Sequence, residues 1–350
     1  MRHQPNSLDT YRLLGRSGLR VSPMALGTMT FGSDWGWGAE REEAQRIFDA
    51  YVDRGGNFID SSNNYTNGTS ERLVGELAAD KRERLTIATK YSATTRPEDP
   101  NSGGNHRKSM VRSVEGSLTR LQTDYIDLLY LHIWDGTTPV DEVLRAMDDL
   151  VRAGKVLYVG ISDTPAWQVS RMQAIADLRG WSPLVALEIE YSLIERTAER
   201  DLMPMAREMG LGVTLYSPLG RGVLTGKYSS GDLDHRGDSA GVEGTRLRSG
   251  ELNGTLTERA LAIAEVVKTV ATDLGRTPAQ VALAWTLLND SVTAPLIGAR
   301  TLALLHDAGA TALRRHIKVP RREVRSIVAS LVFGLAARSR IESLYRELSH

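Results

Sequence analysis

Four side chains that can hold or transfer a proton stand at or just after the ends of three short apolar runs. The run Phe58-Ile59-Asp60 leads to Tyr65, the next run ends in Thr89-Lys90, and the third ends in Leu131-His132. Each residue alone is ordinary, because aspartates often form turns, lysines extend their stems over apolar surface and histidines often only hydrogen-bond. Their occurrence together at three consecutive run ends is much more specific.

The combination suits proton donation to an oxygen that gains negative charge, as a carbonyl oxygen does when its carbon accepts hydride. Tyr65 would give the proton, which requires that its phenol, ordinarily of pKa about 10, become more acidic. Lys90 would favour the phenolate, and Asp60 would keep that ammonium charged and oriented. His132 would donate a second hydrogen bond to the same oxygen.

A repeating pattern of strands and helices must position these residues. From Met24 onward, eight short β-rich runs alternate with segments of helical periodicity, which is typical of a parallel α/β fold. The predicted strands are Ala25–Met29, Asn57–Asp60, Leu85–Lys90, Ile126–His132, Val156–Ser162, Leu184–Glu190, Gly212–Tyr216 and Val292–Ile297. Helical stripes run through Arg107–Leu121, Val140–Ala153, Ala198–Met209, Leu256–Leu274 and Ala279–Leu288.

Strand–helix units without a break in composition predict a closed (β/α)8 TIM barrel in one domain, with its core at residues 24–312 of the 350. An open doubly wound sheet would more naturally use about six strands. In such a barrel the catalytic groups project from the C-terminal ends of the strands, so the four side chains above would converge. The sequence contains no Gly-x-Gly-x-x-Gly and no Walker phosphate loop, so a bound dinucleotide would need another device.

Composition excludes several classes of function. Lys plus Arg and Asp plus Glu both total 43, so no net charge attracts nucleic acid or an anionic membrane. The absence of cysteine removes disulfides, thiolate catalysis and cysteine-based zinc sites, and it fits a cytoplasmic protein; no metal site is predicted. Met1 to Tyr11 lacks the apolar core of a secretory signal, and the run Ile327 to Ala337 falls short of the roughly 20 residues of a membrane helix.

Two segments depart from the alternation. Ser229–Gly254 is rich in Gly, Ser and Asp, which predicts a long surface loop. The tail Leu313–His350 carries nine Lys or Arg against three Glu, with apolar residues at helical spacing. It predicts a helix packed on the barrel exterior, or alternatively a docking surface for a partner or a membrane.

Longer strings carry a resemblance to a known family. They are Leu14–Ser22, Ala25–Gly32, Ser70–Gly75, Asp127–His132 and Tyr216–Gly222, in this order. From about Tyr11 to Thr301 the chain closely resembles the aldo-keto reductase superfamily, in the branch that includes potassium-channel β subunits and bacterial sugar-ketone reductases. The resemblance implies a (β/α)8 barrel with a β-hairpin around Tyr11–Val21 that closes its floor, and extra C-terminal helices.

The resemblance also implies a catalytic tetrad, which maps without substitution onto Asp60, Tyr65, Lys90 and His132. A branch that reduces carbon–carbon double bonds has glutamate in place of this histidine, so His132 favours carbonyl reduction.

An extended NADPH/NADP+ lying across the rim is the cofactor that the resemblance implies. Its nicotinamide would lie near the tetrad, its pyrophosphate near the loop after the seventh barrel strand, and its adenosine phosphate after the eighth. The implied cofactor-binding residues are Gly27, Thr28, Met29 and Asp60 beside the nicotinamide; Ser162, Asp163 and Glu188 at its carboxamide; Tyr216 stacked on its ring; Ser217, Pro218, Leu219, Gly222 and Lys227 at the pyrophosphate; and Gly298, Ala299 and Arg300 at the adenosine phosphate.

The chain departs from the family pattern at three places in this cofactor site. Asp163 stands where asparagine is usual, and Glu188 stands where a carboxamide-binding glutamine is usual. A carboxylate can accept a hydrogen bond but cannot donate one unless it is protonated. Leu304 and Ala308 lie in the segment where the family has Gln-x-x-Glu-Asn, so two polar adenine contacts are lost and weaker or altered cofactor binding is expected.

The leading functional prediction is a reductase that uses NADPH to convert an aldehyde or ketone, sugar-derived or from secondary metabolism, into an alcohol. Several aromatic residues on predicted rim loops could line a pocket for rings, although core packing is an equal alternative for each tryptophan: Trp35, Trp37, Tyr65, Tyr91 and Trp134. A second reading is a regulatory subunit that keeps the fold and the cofactor site, and a third is a metal-free hydrolase using Asp60 and Glu188. The expected partner is a small carbonyl substrate, and an oligomer is possible.

Overall fold

The computed structural model describes residues 7–233 and 254–309, and in them a closed barrel of eight parallel strands. A hairpin of β1 (Arg12–Leu13) and β2 (Arg20–Val21) precedes it. The barrel strands are β3 (Ala25–Gly27), β4 (Phe58–Asp60), β5 (Thr86–Tyr91), β6 (Ile126–Leu131), β7 (Val156–Ser162), β8 (Leu184–Glu190), β9 (Gly212–Tyr216) and β10 (Val292–Ile297). Each strand pairs in parallel with the next, and β10 pairs with β3 to close the ring, which confirms the predicted fold class.

Helices separate the strands along the chain. They are α1 (Arg41–Asp53), α2 (Thr69–Ala78), α3 (Arg107–Leu121), α4 (Val140–Arg152), α5 (Ala166–Arg179), α6 (Leu202–Met209), α7 (Glu258–Leu274), α8 (Pro278–Thr286) and α9 (Leu302–Gly309). Their apolar faces pack on the barrel strands in one large core, in which Phe48 of α1 and Val114 of α3 join Ile59 of β4 and Ile87 of β5. Since both faces of the strands are covered, every residue of β5, β6 and β10 is buried.

Of the predicted helices, Ala198–Met209 is the one that the structure splits into two elements. A 3-10 turn over Thr197–Glu199 precedes α6, which begins only at Leu202. The Asp201 carboxylate accepts a hydrogen bond from the Leu202 amide at 2.7 Å, and Pro204 lies in the first turn of α6. Proline lacks an amide hydrogen and is tolerated only in a first helical turn, so the helix cannot begin much earlier.

The hairpin closes the barrel at the N-terminal ends of the strands. Leu14 and Val21 join an interior apolar cluster with Phe58 of β4 and Leu128 of β6. Gly15 lies in the left-handed region at φ 58°, and a Cβ atom there would lie 2.5 Å from the carbonyl oxygen of Val185. With this end closed, the opposite rim, where β4, β5 and β6 end, is the accessible end of the barrel.

Parts of the predictions lie outside the described residues: the loop Ser229–Gly254 from 234 to 253, the end of the barrel core after 309, the extra C-terminal helices, and the tail Leu313–His350. Within residues 7–233 and 254–309, no helix combines the length and apolar character needed to cross a bilayer.

Candidate active site

A buried ion pair joins the ends of β4 and β5. The Lys90 Nζ donates to both carboxylate oxygens of Asp60, at 2.7 and 2.6 Å, and to the carbonyl oxygen of Ser61 at 3.0 Å. The Lys90 side chain is 0% exposed and that of Asp60 is 2% exposed. Burial works against the ammonium, but the charges of Asp60 and Glu188 outweigh it and raise the pKa of Lys90 well above its ordinary value.

Tyr65 is held beside this pair by a tight turn after β4. Thr66 and Asn67 both adopt left-handed backbone angles, and the Thr66 hydroxyl donates to the carbonyl oxygen of Phe31 at 2.7 Å. This turn places the Tyr65 ring centroid 5.2 Å from the Lys90 Nζ.

The pKa of Tyr65 shifts in the direction opposite to the sequence-based expectation. Burial raises this pKa, and the charges of Asp60 and Glu188 raise it further, so the lowering by Lys90 is outweighed. The phenol therefore keeps its proton throughout the neutral range. The Lys90 ammonium alone would make the Tyr65 phenol more acidic. Burial and the second carboxylate, Glu188, outweigh that effect.

His132 follows β6 and also lies beside Tyr65. The two ring centroids lie 6.0 Å apart with the planes at 78°. The His132 Nδ1 lies 3.2 Å from the Ser62 Oγ. Burial, to which the Lys90 charge adds, lowers the pKa of His132 to about 3, so its imidazole is neutral at neutral pH.

Glu188 adds a second carboxylate to the ion pair. It projects from β8, its side chain is 3% exposed, and its Oε1 lies 3.4 Å from the Lys90 Nζ. Its Oε2 is buried and has no hydrogen-bond partner among the residues that the structure describes. Burial and the charge of Asp60 raise the pKa of Glu188 to about 8, although Lys90 opposes the shift.

The remaining residues predicted for the nicotinamide end surround this cluster. Ser162 pairs with Glu188 in the register of β7 and β8. The Tyr216 hydroxyl donates to the Asp163 Oδ1 at 3.0 Å. Thr28 is fully buried, and its hydroxyl donates to the carbonyl oxygen of Asp60 at 2.9 Å. Gly27, at the end of β3, and the half-buried Met29 lie on either side of Thr28.

The loop after β9 contains several residues with left-handed backbone angles. It contains Pro218 and Leu219, and its left-handed residues include Ser217 at φ 50°, Arg221 at φ 53° and Gly222 at φ 97°. Within the loop, the amides of Gly220 and Gly222 donate to the carbonyl oxygens of Ser217 and Leu219, at 2.8 and 3.0 Å. The Lys227 Nζ lies beside the loop, 3.1 Å from where a Cβ atom on Gly222 would be.

At the end of β10, the segment Gly298 to Arg300 lies next to the start of α9. The Thr30 hydroxyl donates to the carbonyl oxygen of Ala299 at 2.8 Å, which anchors this segment to the loop after β3. Within α9, Leu304 is 48% exposed and Ala308 is buried. Both residues are apolar, so neither offers a polar side chain. The Asp307 carboxylate accepts hydrogen bonds from Thr277 and Gln280 at 2.8 Å each, which fixes it to the beginning of α8.

Two aromatic rings follow one another beside Tyr65, and the second of them, Trp37, is buried. The Trp35 ring lies 6.5 Å from the Tyr65 ring at 80°, and Trp37 lies 6.0 Å from Trp35. Trp134 packs against the core. The prediction that Tyr91 lines the pocket is wrong, because Tyr91 is fully buried within β5 and its hydroxyl bonds the carbonyl oxygen of Asn105 at 3.3 Å.

A model of the Aldo/keto reductase family matches residues 23–319. The chain belongs to this family of oxidoreductases. It is 37% identical over 316 residues to Aldo-keto reductase ausK of Emericella nidulans, covering 87% of this chain and 77% of that protein. It is also 37% identical over 342 residues to Norsolorinic acid reductase stcV of the same organism (95% and 84%), and 35% identical over 328 residues to Aryl-alcohol dehydrogenase [NADP(+)] of Phanerodontia chrysosporium (86% and 81%).

In this aldo/keto reductase the structure brings Asp60, Tyr65, Lys90 and His132 together on one rim, as their strand-end positions suggested. Sequence reasoning missed the contact of Glu188 with Lys90, although a glutamate inside a buried strand is a recognisable signal. It also gave Ser62 no role. Among the described residues, no group of three or more His, Cys, Asp and Glu side chains is arranged to hold a metal ion.

Proposed function

We propose that this aldo/keto reductase uses NADPH to reduce an aldehyde or ketone to an alcohol, with Tyr65 as the proton donor. One observation carries the proposal: a protonated phenol lies beside both the buried Lys90–Asp60 pair and a neutral imidazole, with its ring centroid 5.2 Å from the Lys90 Nζ and 6.0 Å from the His132 ring centroid. These are the groups that an oxygen gaining negative charge requires. NADPH, when bound, supplies the hydride that goes to the carbonyl carbon.

The high pKa of Tyr65 is compatible with this role. The phenol holds its proton until the substrate oxygen becomes an alkoxide, which is a much stronger base than a phenolate, and then gives it up. The resulting phenolate is stabilised by the adjacent Lys90 ammonium, whose charge Asp60 maintains. A neutral imidazole can donate one hydrogen bond to the same oxygen, so His132 would orient and polarise the carbonyl.

The residues present fit the dinucleotide. The unpartnered Glu188 Oε2 is an acceptor for the carboxamide NH2, and the Tyr216 ring beside Asp163 offers a stacking face. The left-handed loop after β9 with Lys227 suits the pyrophosphate. Arg300 offers a planar fork for a 2′-phosphate, which favours NADPH over NADH, and one relative's name includes NADP(+).

For the substrate, the ring of Trp35 against Tyr65 favours a carbonyl attached to an aromatic ring over a sugar-derived one. Ile133 and Trp167, which follow β6 and β7, add exposed apolar surface on the same rim. Two relatives have the names of a norsolorinic acid reductase and an aryl-alcohol dehydrogenase. We therefore propose ring-bearing carbonyls of secondary metabolism as the substrate class.

The second candidate is a regulatory subunit that binds the nucleotide without turnover. The apolar Leu304 and Ala308 favour it, because they offer no polar contact to an adenine. The intact arrangement around Tyr65 favours the enzyme. A hydrolase would need Asp60 as a working carboxylate, whereas both of its oxygens bond Lys90.

The test follows NADPH absorbance with a panel of aromatic aldehydes, aromatic ketones and sugar ketones, using wild type and Tyr65→Phe. We expect turnover of ring-bearing carbonyls by wild type and a loss of about 100-fold or more in Tyr65→Phe, with nucleotide affinity kept. Equal inertness of both proteins while NADPH still binds would favour the regulatory subunit. Product formation without NADPH would favour the hydrolase.

A further inference from the structure

The carboxylate of Glu188 has more negative charge around it than its one cation can balance. Asp60 places both oxygens within 2.7 Å of the Lys90 Nζ, so that ammonium is already paired. Glu188 reaches the same atom only at 3.4 Å, and its other oxygen is buried without a hydrogen-bond partner in the described residues. A buried carboxylate in this position is costly unless it is protonated or a further positive charge lies nearby.

The groups facing Glu188 from the packed elements do not supply that charge. Asp60 on β4 and Asp163 after β7 are acidic. Tyr65 after β4 and Tyr130 on β6 are neutral phenols, and the Tyr130 hydroxyl lies 3.1 Å from the Thr214 Oγ1 of β9. Of these groups and Lys90 on β5, Lys90 alone is positive. The pKa of Glu188 is accordingly raised to about 8, which leaves its carboxyl largely protonated at neutral pH.

The proposed function brings a positive charge to this place in one half of the reaction cycle. The hydride-donating ring must reach a carbonyl carbon whose oxygen lies at the Tyr65 hydroxyl. Tyr65 is adjacent to Lys90, and Lys90 contacts Glu188. On the proposed function the nicotinamide ring would lie near Glu188, which stands where the family resemblance implies a contact with the carboxamide. That ring carries a positive charge in NADP+ and none in NADPH.

We propose that Glu188 makes the cofactor site sense the redox state of the nucleotide, losing its proton when NADP+ binds and keeping it when NADPH binds. This inference rests on the proposed function. The bond broken is the O–H bond of the Glu188 carboxyl group, and the proton goes to solvent. Oxidised nucleotide then binds opposite a carboxylate, and reduced nucleotide binds opposite a neutral acid that can donate as well as accept.

The consequence is that the relative affinity for the two nucleotides depends on pH. As the pH rises through the pKa of Glu188, less work is needed to remove the proton, so NADP+ binds more tightly. NADPH gains nothing, because an additional buried negative charge does not favour a neutral ring. We expect the NADP+ to NADPH affinity ratio to increase about thirtyfold or more between roughly pH 6 and pH 9.

The experiment measures dissociation constants for NADP+ and NADPH across this pH range in wild type, Glu188→Gln and Glu199→Gln. Glutamine keeps the shape of the side chain but has no proton to lose, so the ratio should not vary with pH in Glu188→Gln. Glu199 is a matched control because its carboxylate bonds Tyr191 and Arg196 away from the cluster. Glu199→Gln should behave as wild type.

Calorimetry of wild type alone keeps the inference testable if Glu188→Gln fails to fold. Titrations in buffers of different ionisation enthalpy count the protons released on binding. Near pH 7 we expect release of most of one proton with NADP+ and close to none with NADPH. Equal proton release on binding of NADP+ and NADPH would overturn this inference and leave the proposed function standing. So would an NADP+ to NADPH affinity ratio that has the same pH dependence in wild type and Glu188→Gln. Failure of wild type to bind either nucleotide would overturn the proposed function and this inference with it.

Discussion

The Ser62 Oγ lies 3.2 Å from the Nδ1 of His132 and, at the same time, 2.7 Å from the Oδ1 of Asn64. A hydroxyl has one proton, so Ser62 can donate to only one of these two neighbours. If it donates to His132, the imidazole proton is on Nε2, which can then donate to a substrate oxygen. The shorter contact is the one to Asn64, whose Oδ1 can only accept, and a Ser62 that donates there receives a hydrogen bond from Nδ1 of His132 and leaves Nε2 only to accept. The donor role proposed for His132 therefore requires the Ser62 proton to turn from Asn64 toward Nδ1 of His132.

We predict that Ser62→Ala lowers kcat about tenfold and leaves nucleotide affinity unchanged, because the His132 ring loses the partner that fixes its tautomer. The check is steady-state kinetics together with nitrogen-15 NMR of His132. The donor role proposed for His132 requires wild type to show a single tautomer protonated on Nε2, whereas Ser62→Ala should show a mixture. Retention of that one tautomer in Ser62→Ala, at the wild-type rate, would contradict a positioning role for Ser62.

Neutral His132 gives the folded protein a pH dependence of defined sign. Its pKa is about 3 in the folded state, against about 6.5 in an unfolded chain. Between these values the unfolded state binds a proton that the folded state does not. The contribution is therefore fully present above about pH 6.5, and it is lost as the pH falls, with a limiting slope of about 1.4 kcal/mol per pH unit.

Urea unfolding of wild type and His132→Asn at several values from about pH 7 down to pH 4 tests this dependence. The wild-type free energy of unfolding should fall more steeply than that of the variant, because asparagine has no proton to gain. The difference between the two proteins isolates His132 from carboxylates that titrate in both. Parallel curves would show that the His132 imidazole gains its proton at the same pH in the folded and the unfolded state.

Much of the fold could be predicted from the sequence because the hydrophobic patterns of its strands and helices are local. Strands β7 to β10 and helix α3 have the predicted bounds, since each is a continuous apolar run or stripe. The tetrad could be assembled for the same reason, because strand ends in a parallel barrel share one rim. The contact of Glu188 with Lys90 could not be predicted from the sequence, because β8 and β5 are not neighbours. The two side chains meet only when the barrel closes. The burial of Tyr91 likewise depends on the loop that contains Asn105.

The barrel floor offers a matched pair of glycines. Gly15 has a left-handed backbone and its Cβ would meet backbone atoms of Val185 and Gly210, whereas a Cβ on Gly18 would have open space. We predict that Gly15→Ala lowers the free energy of unfolding by about 2 kcal/mol or more, and that Gly18→Ala changes it by less than about 0.5 kcal/mol. Urea unfolding measures both. Equal effects would mean that the hairpin does not pack on the strand ends as described.

The adenosine end of the proposed cofactor site depends on Arg300, because neither Leu304 nor Ala308 offers a polar group there. If its guanidinium pairs with the 2′-phosphate, Arg300→Ala should weaken NADPH about tenfold or more and leave NADH unchanged, since NADH lacks that phosphate. Lys227→Ala is the matched control, because the pyrophosphate is common to both nucleotides and their affinities should fall together. Fluorescence titration of wild type and both variants with each nucleotide gives four variant-to-wild-type affinity ratios. If wild type binds NADPH and NADH equally and Arg300→Ala alters neither, the 2′-phosphate is not recognised by Arg300, and the preference for NADPH loses its physical basis.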